Sequence, residues 1–202
     1  MGFRTYQSLS DVVIAFDLQL KTTSEDFPAT AITAPVLFKQ EMTLTLDNLP
    51  FAVSEAALCD NIIYPILREV WKQFADIFMV WSHQPIALNE ELSGIPDYLF
   101  TRQSPRGRTV LDMPYVAVIE AKRDDFTMGW AQCGLEMYTI QQLNKDTRPV
   151  YGVVTNGRLW EFGMLENSTI TQFVEGYSIR EIDKVFGALT YVLETCKRIY
   201  NL

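Results

Sequence analysis

The segment YVAVIEAKRDD, from Tyr115 to Asp125, limits the fold of this chain more than any other stretch. Its apolar run, Val116 to Ile119, is typical of a strand inside a sheet, and charged residues follow at once. Side chains alternate between the two faces of a strand, so Glu120 and Lys122 must share one face. A buried strand that ends in a carboxylate and an ammonium group on the same face predicts a polar site at the edge of a sheet.

Other segments surround this strand with a regular pattern. DIFMVW, QPIALNEEL and IPDYLFTRQ predict strands, and PVYGVVTNGRLWEFGML predicts two more, joined by a hairpin at Asn156 and Gly157. TMGWAQCGLEMYTIQQLN has helical spacing, and a last helix is predicted from about Ser178 to Tyr200, with Ser178 and Glu181 as a capping box. The order of helices and strands predicts an α/β or α+β fold, in which helices flank a sheet.

The first part of the chain is less regular. A helical pattern runs from about Ser8 to Leu20, and the residues from Val36 to Leu46 suit a strand or an extended arm. Ser54 is a plausible N-cap for a long amphipathic helix, and Pro65 should bend or interrupt that helix. The chain of 202 residues, 48% of them hydrophobic, is long enough for one sizeable core.

Composition excludes several classes of protein. No stretch approaches the roughly 18 apolar residues of a membrane span, and the start lacks a signal pattern, so we expect a cytoplasmic protein with no membrane partner. The three cysteines are widely spaced and indicate reduced thiols rather than a zinc site. His83, the single histidine, is interpreted as a surface or connecting residue. With no second histidine and no GxSxG motif, a catalytic triad is effectively excluded. No glycine-rich phosphate loop is present.

Three charged residues suggest a metal-dependent chemistry. Asp97 begins one apolar run, and Glu120 and Lys122 end another, so the three groups would converge if the two strands were neighbours. Two carboxylates can hold Mg²⁺ while water and a phosphate oxygen complete its coordination. A lysine beside that ion can position water or neutralise developing charge. The alternatives are a Pro-Asp turn at Asp97, charges that mark the end of a strand, or a structural ion-pair network.

These residues carry a family resemblance. GIPDYLF and YVAVIEAK, with 23 residues from Asp97 to Glu120 (120 minus 97), resemble the PD-(D/E)xK nuclease superfamily, which has the restriction-endonuclease-like fold. With SEAALCDNIIYPIL, AQCGLEMY and GVVTNGRLWEF added, the chain is similar to the N-terminal nuclease domain of type I restriction motor subunits and to stand-alone relatives. The resemblance implies a central mixed sheet flanked by helices, and hydrolysis of phosphodiester bonds in nucleic acid with Mg²⁺ or Mn²⁺, with DNA as the expected substrate.

The resemblance also implies roles for particular residues. Asp97 and Glu120 would be metal ligands, Lys122 the catalytic lysine, Glu55 a helix acid that reaches the metal through water, and Gln132 a glutamine of the site. Glu55 could instead only complement the helix dipole, and Gln132 could be a surface amide. The resemblance covers residues 54–162 as a nuclease-like core within one domain, 1–202; residues 1–53 would be an N-terminal appendage, and 163–202 a C-terminal strand and helix.

The basic residues Arg102, Arg106 and Arg108 lie in a predicted loop, and Arg123 follows the catalytic lysine. They could form a local positive rim that holds a phosphate backbone, or the loop could simply be solvated. Asp124 and Asp125 are interpreted as the cap and first-turn charge of the next helix.

Two functional hypotheses remain open. The first is a Mg²⁺-dependent nuclease, and the second is a catalytically silent member of the same fold that acts as a protein-interaction or regulatory module, possible also as a homodimer. The formal charge of -8 and the pI near 4.7 favour the second, because nucleic-acid-binding proteins usually present a broad electropositive surface.

Overall fold

The computed structural model describes residues 5–202. The strands in this range are β1 (Gln19–Thr23), β2 (Phe78–Ser82), β3 (Ile86–Ala87), β4 (Ser93–Gly94), β5 (Tyr98–Arg102), β6 (Asp112–Ala121), β7 (Val150–Thr155), β8 (Leu159–Glu166) and β9 (Thr169–Ser178). The α-helices are α1 (Leu9–Ala15), α2 (Val36–Asn48), α3 (Glu55–Leu58), α4 (Tyr64–Trp71), α5 (Phe126–Asn144) and α6 (Ile182–Tyr200).

Seven of the described strands form one mixed sheet, in the order β1-β9-β8-β7-β6-β5-β2. The pairs β6–β7 and β1–β9 are parallel, and the other neighbours in the sheet are antiparallel. Strands β3 and β4 form a separate small ribbon. The expected fold class, an α/β fold with a mixed sheet flanked by helices, is therefore confirmed.

The two faces of the sheet are covered by different helices. Alternation along β6 sends Val118 into a hydrophobic cluster with α1 and α5, and sends Ala117 and Ile119 into a larger cluster with α2, α4 and α6. Glu120 is two residues after Val118, so it faces α5. This packing places the predicted polar site beneath α5 at one end of the central strand.

The N-terminal region differs from the sequence prediction. Helix α1 ends at Ala15 because Asp17 adopts a left-handed backbone with φ 52°, and Leu20 then lies in β1 instead of a helix. The segment from Val36 is the helix α2, and the predicted strand or extended arm was wrong. Its buried side chains are Phe38 and Met42, and their spacing of four residues is that of a helix. The apolar residues and threonines of this segment also suit a strand, which is why the sequence did not predict the helix.

Several local predictions are confirmed by the backbone. The Ser54 hydroxyl accepts a hydrogen bond from the Ala57 N–H and caps α3. A π-helical turn, Cys59–Ile63, interrupts the helix before α4, in whose first turn Pro65 lies. Gly157, with φ 74°, lies in the turn between β7 and β8.

The start of the last helix differs in detail. Ser178 Oγ accepts the N–H of Arg180 in a 3-10 turn, Ile179–Glu181, and the Glu181 carboxylate pairs with Lys184. The predicted capping box is therefore not formed, although the helix itself is present. Among residues 5–202, no helix is long and apolar enough to cross a membrane.

Candidate active site

The register of β5 and β6 brings the first two predicted residues together. Tyr98 pairs with Ile119 in this antiparallel pair, so Asp97 lies across from Glu120. The Ala121 N–H donates to Asp97 Oδ2 at 2.8 Å, and the Asp97 N–H reaches Glu120 Oε1 at 3.4 Å. The two carboxyl groups thus occupy one place at the end of β6.

Lys122 joins this pair from the same face. Its Nζ lies 3.1 Å from Glu120 Oε2, and its backbone N–H donates to the Thr155 carbonyl, which continues the β6–β7 ladder. The side chain passes closely beneath Gly129 of α5, where a Cβ atom would be 2.9 Å from Lys122 Cγ. Burial lowers the pKa of Lys122, but the adjacent Glu120 more than offsets this, so the pKa is raised and the ammonium stays protonated.

The pKa values of both carboxyl groups are raised above those of ordinary Asp and Glu side chains. Desolvation raises the pKa of Asp97 despite the opposing Ala121 N–H and Lys122. Desolvation and the charge of Asp97 raise the pKa of Glu120 to about 7. Lys122 therefore does not fully offset the cost of ionising these two groups.

Glu136 adds a carboxyl group that the sequence analysis missed. It is fully buried in α5, and neither of its oxygens accepts a hydrogen bond from a donor among the described residues. It lies within hydrogen-bonding reach of Glu120, and two carboxyl groups can share such a bond only when one is protonated. Burial and the Glu120 charge raise the pKa of Glu136 well above its ordinary value. Its signal in the sequence was a charged residue in the middle of an otherwise buried helix.

His83 is a second residue that the sequence analysis did not place at the site. It directly follows β2, whose pairing of Ser82 with Tyr98 sets it across from Asp97. Its N–H donates to the Asp97 carbonyl at 3.0 Å, and its Nε2 lies 3.5 Å from Asp97 Oδ1. The side chain is exposed, as expected of a surface residue. The sequence analysis did not expect it to lie beside Asp97.

The two remaining predicted site residues lie on different helices. Glu55 begins α3 and is exposed, and its negative charge acts on both Asp97 and Lys122. Gln132 is buried on α5, one helical turn before Glu136. The expected surface amide at Gln132 is therefore excluded, whereas its role in the site stays a prediction.

Three of the four predicted phosphate-binding arginines lie elsewhere. Arg102 ends β5, where it is opposite Asp112 of β6 in the strand register. It lies about 17 Å from Asp97 along the strand. Arg106 and Arg108 are in the loop beyond it, so the expected positive rim beside the carboxylates is not formed by these three residues. Arg123 does lie next to Lys122, with its Nε 3.6 Å from Asp124 Oδ2.

Asp124 and Asp125, which follow Arg123, make different contacts. Asp125 caps α5, because its carboxylate accepts the Met128 N–H at 2.9 Å, as predicted. Asp124 is exposed beside Arg123.

Comparison with known proteins gives no family. No model of a known protein family matches the chain, and no curated protein matches it. Within the described range, no group of three or more His, Cys, Asp or Glu side chains is arranged as a ligand set for a metal ion. The arrangement of two carboxylates and one lysine is thus the feature from which function must be argued.

Proposed function

We propose that this chain is a Mg²⁺-dependent phosphodiester hydrolase of the nuclease type, acting on nucleic acid, with DNA as the expected substrate. The observation that carries the proposal is the meeting of Asp97, Glu120 and Lys122 at the end of one central strand, although the two acids are 23 positions apart in the sequence. The same three residues carry the resemblance to PD-(D/E)xK nucleases.

The chemistry of the site suits a hard divalent cation. Burial raises the pKa of Asp97, and burial and the Asp97 charge raise the pKa of Glu120, so a cation at this place would favour the ionised form of both groups. Buried Glu136 adds a carboxyl group without a donor. Oxygen ligands are those that Mg²⁺ and Mn²⁺ prefer, and two carboxylates suffice when water and substrate oxygens complete the octahedron. Asp97 and Glu120 would hold the ion, and Glu55 could reach it through water.

When bound, such an ion supplies Lewis-acid activation of water and stabilises charge on phosphate. The residues of the chain have separate tasks. The Ala121 N–H fixes the Asp97 carboxylate, and Glu120 fixes the ammonium of Lys122. Because Lys122 remains protonated, it acts as a hydrogen-bond donor to water or to a phosphate oxygen, rather than as a base.

The test compares two aspartates that flank the same pair of strands. Asp97→Asn removes a charge at the site, and Asp112→Asn removes one at the opposite end of β6. We expect Asp97→Asn to abolish Mn²⁺ binding, measured by calorimetric titration, and cleavage of plasmid DNA, whereas Asp112→Asn should retain both. Thermal unfolding checks that both variants are folded. An unchanged Mn²⁺ titration for Asp97→Asn would refute the metal site.

The acidic composition favours the second candidate, a silent module of the same fold that contacts another protein. It predicts that the native chain binds no oligonucleotide even at low salt, where phosphate contacts are strongest. Binding with a steep salt dependence would instead favour the nuclease.

A further inference from the structure

A groove lined by arginines lies beside the site. Its first part is a cavity of about 290 Å³ lined by Ala52, Leu58, Arg123, Asp124, Asn156 and Arg158. Its second part is a cavity of about 490 Å³ lined by Leu46, Asp47, Phe51, Arg158, Ser178, Ile179 and Arg180. Arg158 lines both cavities, so the two lie side by side, and together they are called the groove.

The three arginines come from successive ends of strands at one edge of the sheet. Arg123 follows β6, Arg158 lies in the turn after β7, and Arg180 follows β9. Strands β6, β7 and β9 run in the same direction, so these ends are at the same edge. Three steps between neighbouring strands make the edge about 14 Å long from β6 to β9, enough to face several successive phosphates.

Two of the three groove guanidinium groups form no ion pair with the described residues. None of the ion pairs formed within residues 5–202 involves Arg158 or Arg180. The Arg158 guanidinium lies 5.5 Å from the centre of the Phe51 ring, and this stacking orients it. The groove also contains the carboxylates of Asp124, which is near Arg123, and Asp47. Guanidinium groups bind phosphate through paired hydrogen bonds, so three of them against two carboxylates select a polyanion.

Residues that line the groove are neighbours of site residues along the chain. Lys122 is adjacent to Arg123 along the chain, and its N–H is bonded to Thr155, the residue before groove-lining Asn156. On the other wall, Leu58 is at the end of the short helix α3 that Glu55 begins. The groove lining and the site thus have neighbouring residues at the end of β6 and at the start of α3.

We propose that Arg123, Arg158 and Arg180 bind the phosphodiester backbone of a nucleic-acid strand and direct that strand to the Asp97–Glu120–Lys122 site. The destination of the strand rests on the proposed function, but binding in the groove does not. Arg158 and Arg180 were absent from the sequence prediction, and they replace the loop arginines Arg106 and Arg108 as the phosphate contacts.

The experiment measures binding without cleavage. A fluorescein-labelled single-stranded 20-nucleotide DNA and its duplex are titrated with the full chain in a chelator, and fluorescence anisotropy is followed from low to high salt. Variants Arg158→Gln and Arg180→Gln are made singly and together. The control is Lys197→Gln with Arg198→Gln, which also removes two positive charges, but from the last turn of α6. A third pair, Arg106→Gln with Arg108→Gln, tests the competing loop.

Each groove substitution should weaken binding about tenfold at 0.1 M salt and reduce the slope of log affinity against log salt by about 1, whereas the control pair should not. Inorganic phosphate at millimolar concentration should not displace the oligonucleotide if the ligand is the polymer; displacement would show a site for free phosphate and overturn the proposal. Equal losses for the groove and control pairs, a loss confined to the loop pair, or no binding by the native chain would also overturn it.

The outcomes separate this inference from the proposed function. If the groove variants bind weakly while the Asp97→Asn variant keeps its Mn²⁺ binding, then the groove stands and the metal site fails. If Mn²⁺ binding depends on Asp97 while the groove variants bind normally, then only the groove fails. Arg180→Gln guards against a folding artefact, since Arg158 also stacks on Phe51.

Discussion

At the scale of single residues, the carboxyl group of Glu136 is the most unusual feature of the site. A buried carboxyl group without a donor is costly, and it avoids part of that cost by remaining protonated. In that form it can donate to Glu120, which in turn holds Lys122. The lysine is thereby supported by a sequence of contacts that begins inside α5.

Substitution of Glu136 should change how stability depends on pH. Its pKa in the folded chain is raised above the ordinary value of 4.5, so the folded state keeps a proton that the unfolded chain releases. Rising pH above about 4.5 therefore favours unfolding of the native protein, by up to about 1.4 kcal/mol per pH unit. Glu136→Gln carries no titrating proton, so its free energy of unfolding in urea should fall less between pH 5 and pH 8.

Glu120 complicates the comparison in a known direction. Its pKa of about 7 is also raised, so the Glu136→Gln variant should retain a smaller fall that ends near pH 7. The matched control is Glu175→Gln, which changes an exposed acid of β9 and should leave the native pH dependence intact. If the two variants depend on pH equally, then Glu136 is not protonated in the fold.

The sequence predicted part of this site because strand periodicity is a local property. Glu120 and Lys122 share a face by parity alone, and the Pro-Asp start of the preceding strand pointed to Asp97. His83 and Glu136 could not be found in this way, because their places depend on the register of β2 with β5 and on which side of α5 meets β6. Tertiary packing fixes both of these.

At the scale of elements, two glycines let α5 pack closely, one against the sheet and one against α1. A Cβ atom on Gly129 would lie 2.6 Å from Val154 Cγ1 and 2.9 Å from Lys122 Cγ, and one on Gly134 would collide with Leu9 of α1. The helix therefore lies close enough to bury the stem of Lys122.

Alanine at these two glycines should separate packing from function. Overpacking costs about 1–3 kcal/mol, and roughly 1 kcal/mol is regained from the better helix propensity of alanine. Both Gly129→Ala and Gly134→Ala should therefore lower the free energy of unfolding in urea by similar amounts. Only Gly129→Ala displaces Lys122, so under the proposed function only this variant should lose DNA cleavage per folded molecule. Equal cleavage by the two variants would contradict this use of α5.

Elements with strong local signals were predictable, and those with mixed signals were not. β6, the Asn156–Gly157 turn and α5 combine apolar periodicity with clear end signals, and all three are present. The segment of α2 contains Val36, Leu37 and Thr43, residues that also suit strands, and its helical state depends on burying Phe38 and Met42 against the core. β1 is extended because it can pair with β9, a partner about 150 residues away in sequence.

At the scale of the whole molecule, the sheet separates two hydrophobic clusters, and residues near the N-terminus complete the one beneath α5. Leu9 and Val12 of α1 are buried in that cluster. The cluster includes Val118 and Val154 of the central strands, which flank the site. The stability of the site therefore depends in part on a short helix far from it in the chain.

Truncation of Leu9 should test that dependence. Leu9→Ala removes a side chain that is 6% exposed and should lower the free energy of unfolding by about 2–5 kcal/mol. Ile14→Ala on the same helix removes one that is 80% exposed and should change it by less than about 0.5 kcal/mol. Urea unfolding followed by tryptophan fluorescence measures both values, and a similar loss for the two would contradict the packing of α1.

The three cysteines give the molecule built-in reporters of its own opening. Cys59 lies in the π-helical turn before α4, Cys133 in α5 and Cys196 in α6, and all three are buried as free thiols. Burial raises the pKa of each thiol, so little reactive thiolate is present. While the surrounding side chains stay packed, an alkylating reagent also cannot reach the sulfur atoms. The rate at which each cysteine is alkylated therefore measures how often its own helical segment opens, without any engineered label.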